Sequence, residues 1–167
     1  MQPRTYTRLA MLGAAPETRG AIAAVVEAYR AHGLAARWPI DYVATHGEGG
    51  LGRDAWLALD AMRRFALLVA RHRRLVVHVH LGLRGPLWRE APFMAAALAA
   101  RCPLLLQLHG GGFEKARADA LLPAFLERAA CVIVPCEAMR SWVRSVARNA
   151  HAVCLPYPVS GAPLAAL

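Results

Sequence analysis

Six short apolar runs limit what this chain can fold into: Arg8–Gly13, Pro39–Ala44, Leu75–His80, Pro103–His109, Cys131–Pro135 and Ala152–Leu155. Each has the length of a strand and is rich in Val, Leu or Ile on both faces, as in strands of a sheet covered on both sides. Between them the period changes to that of a helix. Ile22, Val25, Val26 and Tyr29 recur at i, i+3, i+4, i+7, and so do Met139, Trp142, Val143 and Val146. Leu59, Met62, Ala66 and Val69 line a longer helix predicted from about Gly52 to His72. Pro92 suits the first turn of a helix ending near Ala100, and Pro123 the start of one running to Ala130. Strand and helix in alternation give an α/β fold, a doubly wound, mostly parallel sheet (Rossmann-like) with helices on both faces. At 167 residues one such domain is expected.

In folds of this kind ligands sit at the carboxyl ends of the strands, near the point where the strand order reverses. The segments just after the strands are "GAAPETRG" (13–20), "THGEGG" (45–50), "HLGLRGPLWRE" (80–90), "HGGGFE" (109–114) and "PCEAM" (135–139). Histidines, glycines and arginines gather in them. "HGEGGLG" (46–52) is expected to form a loop.

Three chemistries place glycines after a strand. The dinucleotide fingerprint needs G-x-G-x-x-G, but Gly13 and Gly20 stand seven apart with no glycine between. A phosphate loop needs its lysine, and Lys115 is the only lysine in the chain. An oxyanion hole of the lipase type matches His109–Gly112 literally, yet Ser141, Ser145 and Ser160 lack the G-x-S-x-G context of its nucleophile. A sugar and phosphate cradle fits better. Glycines let the main chain approach a ligand, and a histidine at the strand end can hydrogen-bond a sugar hydroxyl or steady a phosphate. The plain alternative is a strand-to-helix turn.

The ordered set of loops resembles the N-terminal half of a family-4 retaining glycosyltransferase of the GT-B fold. The similar stretches are "TRGAIAAVVEAYRAHG", "LVVHVHLGLRGPLWRE", "LLLQLHGGGFE", "CVIVPCEAMRSWV" and "AVCLPYPV". The resemblance implies a catalytic role for His109, facing the transferred sugar. It implies contacts with the donor from Gly20, Gly110 and Gly111, and an acceptor side lined by His80, Arg84, Trp88 and Arg89. Ala21 stands where such chains have a second glycine, and Tyr157 where they have the asparagine of an Asn-Pro-Val hinge. The implied substrates are a nucleotide-sugar and a glycan or lipid-linked acceptor, with no metal and no further cofactor. Residues 1–160 would form the acceptor-side domain, and 161–167 a short tail where a donor-binding domain would begin. No two glutamates stand eight apart, as the donor half of that family has them. A donor-domain partner chain is therefore expected, with little turnover without it.

Charge and cysteines add bounds. The net charge of +9 is almost wholly arginine and suits an anionic partner. Arg140, Arg144 and Arg148 would form one helix stripe; Arg63, Arg64, Arg71, Arg73 and Arg74 form a second cluster. Basic runs without interleaved aromatics, finger or helix-turn-helix signature point away from nucleic acid. An anionic membrane surface is the other candidate partner, giving a non-catalytic binding module as the alternative function. The charge-free stretch Asn149–Leu167 is broken by three prolines and cannot span a bilayer, so the expected location is cytoplasmic, peripheral on the inner membrane face at most. Cys102, Cys131, Cys136 and Cys154 lack the spacing of a zinc site and are expected as reduced, buried thiols. His78 and His80 share a strand face and could ligate a metal with His109, but a packed or hydrogen-bonded pair competes with that.

Overall fold

A computed structural model describes residues 6–18, 20–47, 51–83, 86–110 and 120–157, with the side chains of 51–54 left aside. All six expected strands form: β1 (Arg8–Ala14), β2 (Ile40–His46), β3 (Leu75–Gly82), β4 (Leu104–His109), β5 (Cys131–Val134) and β6 (Ala152–Cys154). They make one sheet in the order β2-β1-β3-β4-β5-β6, parallel throughout. The order reverses at β1, whose neighbours are β2 and β3, so the switch point lies between β1 and β3. The expected doubly wound α/β fold is what the chain adopts.

The helices are α1 (Ala21–Ala31), α2 (Leu34–Arg37), α3 (Leu51–Arg71), α4 (Ala91–Ala99), α5 (Leu122–Arg128) and α6 (Glu137–Val146). A 3₁₀ turn, Leu87–Arg89, precedes α4. Strand direction and right-handed crossovers decide their sides. The chain moves one way from β1 to β2 and the other way thereafter, which puts α1 and α2 on one face and α3 to α6 on the other. Packing agrees. Ala10, Leu12, Val77, Val79, Leu106 and Leu108 meet Phe65 of α3, Phe93 and Met94 of α4, Leu126 of α5 and Val143 of α6. On the opposite face Leu9 and Met11 meet Val26, Ile22 and Leu34.

The two faces differ in chemistry. The α3–α6 face of the sheet is apolar over β3, β4 and β5. The α1 face carries His78 and His80 on β3 and Gln107 and His109 on β4, all buried. The alternation of strand side chains puts these four on one face, and the register sets His80 beside Gln107 and Gly82 beside His109.

Gly13 stands one residue before the end of β1, where packing leaves no room for a side chain. A Cβ there would lie 3.0 Å from the Tyr42 hydroxyl and 3.2 Å from Ile22, and that hydroxyl is held by the Ala14 carbonyl. Gly13→Ala is expected to displace Tyr42 and cost about 1–3 kcal/mol by overpacking. Urea denaturation checks it; a midpoint equal to that of the parent protein would be the contrary result.

Two expectations change. Three thiols are half-buried and Cys136 is exposed, because the cysteines fall at the sheet's thinner end and in loops rather than in its core; all four are free. Arg148 lies past the end of α6, so the helix stripe comprises Arg140 and Arg144 alone.

Candidate functional site

The histidines of β3 and β4 form a closed stack with a tyrosine at each end. His78 and His80 have ring centroids 4.4 Å apart, and His80 and His109 5.1 Å. Tyr29 of α1 lies 6.4 Å from both His78 and His80. Beyond His109, Tyr157 lies parallel to its ring at 5.6 Å. Tyr157 follows β6, so the turn after the last strand returns to cover the carboxyl end of β4.

Hydrogen bonds sort these groups into two sets. Gln107 Oε1 accepts from the Tyr29 hydroxyl and from His78 Nε2, each at 3.1 Å. Because a carbonyl oxygen only accepts, His78 carries its proton on Nε2. His80 Nδ1 and His109 Nε2 are 2.9 Å apart, so one donates to the other. His80 Nε2 and His109 Nδ1 are buried without a partner among the described residues. The Tyr157 hydroxyl lies by the Gly110 backbone, short of hydrogen-bond geometry.

Burial keeps all three imidazoles neutral. It lowers His78 to about 4, against a smaller raising effect of the Gln107 bond. It lowers His109 to about 4 as well, with the charge of His78 adding to the effect. His80 falls well below the ordinary value through burial and both neighbouring histidines. A neutral imidazole offers a hydrogen bond but no charge. His109 therefore suits a hydroxyl group better than a phosphate.

Gly110 follows with φ +103, a conformation glycine tolerates and other residues rarely adopt. Among the described residues a Cβ at Gly110 would meet nothing within 4 Å. The glycine there is required by backbone shape rather than by crowding from those residues.

The remaining site candidates lie apart. Gly20 precedes α1 and borders a cleft of about 410 Å³ on the β2 side of that helix, with Thr18, Arg30 and Tyr42. There the Arg30 guanidinium stands 5.7 Å over the Tyr42 ring. Arg89 lines a second cleft, of about 340 Å³, on the opposite face of the sheet between α3 and α4. Its other walls include Trp88, Met62 and Phe93, with Thr45 and His46 at the end of β2. His46 Nδ1 is 3.3 Å from the buried Glu90 carboxylate. Trp88 is exposed rather than packed, with Arg89 over its ring at 5.6 Å. Arg84 and Gly111 lie outside the described residues. His80, His109 and Gly110 are thus together; Gly20 and Arg89 are each elsewhere on the same carboxyl edge.

Gln107 and Tyr157 were not among the sequence candidates. Gln107 has a sequence signal: it stands two before His109 in an otherwise apolar run, as His78 stands two before His80. Tyr157 is marked in the sequence only as a departure at the hinge position; its approach to His109 depends on the path after β6.

Among the described residues no cluster of His, Cys, Asp or Glu could hold a metal ion, and no helix is long and apolar enough to cross a membrane. No protein-family model matches the chain, and no curated protein matches it.

Proposed function

We propose that this chain is the acceptor-side half of a retaining sugar transferase, with its reacting sugar held at the carboxyl end of β4. The observation that carries this reading is the His80–His109 pair. It ends at the backbone of Gly110, at the carboxyl edge of a doubly wound sheet, one strand from the switch point between β1 and β3. His109 Nδ1 is the group offered to a sugar hydroxyl, once the Tyr157 ring swings aside. His80 holds the other nitrogen and so sets which tautomer His109 presents. The protein's contribution to transfer is positioning: a neutral imidazole and a glycine backbone orient the sugar, while the leaving phosphate needs charge supplied from a donor-binding domain. The 167-residue chain alone is expected to bind sugar ligands weakly and to turn over little.

The test begins with the chain itself. Titration with nucleotide-sugars and with simple glycosides, followed by amide and imidazole NMR, should shift Gly110, His109 and Tyr157. Shifts confined to other parts of the surface would sink the assignment. Joined to a donor-binding domain, His109→Ala should lower turnover about ten- to hundredfold, the worth of one buried hydrogen bond to substrate. Unchanged turnover would remove His109 from the chemistry.

A further inference from the structure

The longest helix presents its least expected surface to solvent. Trp56 and Leu59 of α3 are 68% and 71% exposed, and Leu67 is 38% exposed. With Arg63 they recur at helical spacing and form one ridge, on the side of α3 away from Ala61 and Phe65, which enter the core. Trp88, also 68% exposed, stands across the α3–α4 cleft. Arginines flank this ridge. Arg64 and Arg71 are exposed on α3, and Arg73 and Arg74 follow it in a turn. Among the described residues none of these four has an ion-pair partner; Arg63 alone is paired, with Asp60 at 3.0 Å.

A globular surface helix normally turns its Trp and Leu inward. Large apolar side chains outward, with arginines beside them, make the pattern of a helix that lies in a membrane interface. We propose that the α3 face, with Trp88, docks this protein on an anionic lipid surface. Trp56, Leu59, Leu67 and Trp88 enter the headgroup boundary and the unpaired arginines meet lipid phosphates. The shape of the patch favours a bilayer over a folded partner. It is a convex ridge along a helix of 21 residues, which a deformable interface can accept, whereas a protein would need a matching groove. A second copy of this chain is disfavoured, since arginines would face arginines on molecules that each carry +9. The proposal also separates the two arginine groups. On α6, Arg140 pairs with Glu137 at 2.8 Å, and no large apolar side chain of that helix is exposed, so α6 is not the lipid-facing element. The inference does not rest on the sugar-transfer reading.

Co-sedimentation of the full chain with phosphatidylcholine vesicles, with and without phosphatidylglycerol, tests it. Binding is expected only with the anionic lipid, and it should fall as salt is raised. Arg64→Gln/Arg71→Gln should weaken binding about thirtyfold, two arginines at about 1 kcal/mol each. Trp56→Ala/Leu59→Ala should weaken it at least about tenfold. Both pairs are exposed, and circular dichroism confirms folding. Arg140→Gln/Arg144→Gln should leave binding unchanged. Absence of vesicle binding by the parent chain overturns the proposal, as does binding that survives both α3 changes or is lost only with the α6 change. Retention on a soluble polyanion without vesicle binding would assign the face to an acidic macromolecule instead, and equally overturn it.

Discussion

Acidification from neutral pH toward pH 4 is expected to unfold this protein, with the histidine stack as the cause. His78 and His109 are buried neutral and titrate at about 4 in the folded chain, against an ordinary value of 6.5. The folded values are depressed, so as pH falls below 6.5 the unfolded chain takes up protons that the folded chain refuses. Stability is then full above 6.5 and declines down to about 4. Each histidine contributes a slope of about 1.4 kcal/mol per pH unit in that window. Together the two remove on the order of 6 kcal/mol, comparable with the whole stability of about 5–15 kcal/mol typical of a domain. His80, lowered further by burial and by both neighbours, acts in the same direction. Urea denaturation at a series of pH values reads the slope directly, and imidazole NMR should show His78 and His109 neutral in the folded protein at pH 5. Stability that stays flat between neutral pH and pH 5 would mean that the stack is wet or already charged. His109→Phe, which keeps a ring for Tyr157 to cover, should lower the slope by one histidine's share.

The sheet was legible because its strands obey simple rules. A run such as Val76–Val79 or Leu104–Leu106, apolar on both faces, reads as an interior strand, and every strand core fell where the pattern put it. The ends differ by two residues: β2 extends to His46 and β3 to Gly82, because ladder bonds continue past the apolar pattern. The short α2 carries no periodic signal, since four residues are too few for a stripe. The stripes of α1 and α6 face the core, but that of α3 does so only in part. Met62 and Val69 pack against the core while Leu59 and Ala66 are exposed, because Ala61 and Phe65 set the buried side of that helix. Nor does a stripe say what lies opposite. So Ile22, Val25, Val26 and Tyr29 were read as one apolar face, whereas Tyr29 also reaches across two strands to Gln107. The site was legible in part. Strand parity put His78 and His80 on one face, and the rule that ligands sit at strand carboxyl ends marked His109 and Gly110 together with four other segments. That Gly20 and Arg89 would open into separate clefts follows from crossover handedness and helix placement, which the sequence encodes only through the assembled sheet.

Gln107→Leu is expected to cost about 2–6 kcal/mol, although it exchanges a polar core side chain for an apolar one of similar size. Gln107 is 2% exposed, and its single carbonyl oxygen accepts from both Tyr29 and His78. Leucine there would leave the half-buried Tyr29 hydroxyl and the buried His78 N–H without an acceptor, each costing about 1–3 kcal/mol. The same loss frees His78 from its Nε2–H tautomer and from its place against His80, so disorder should spread along the stack to His109. Adding Tyr29→Phe removes one of the two stranded donors, so the double variant should be more stable than Gln107→Leu alone, even though a further polar group has been deleted. Thermal or urea unfolding of the parent, both single variants and the double variant completes the cycle. If the two changes simply add, Tyr29 and Gln107 are not coupled and the bond from α1 to β4 does not organise this face. If the second change restores stability, α1 is anchored to β4 through this acceptor, and the position of His109 depends on a glutamine two residues before it.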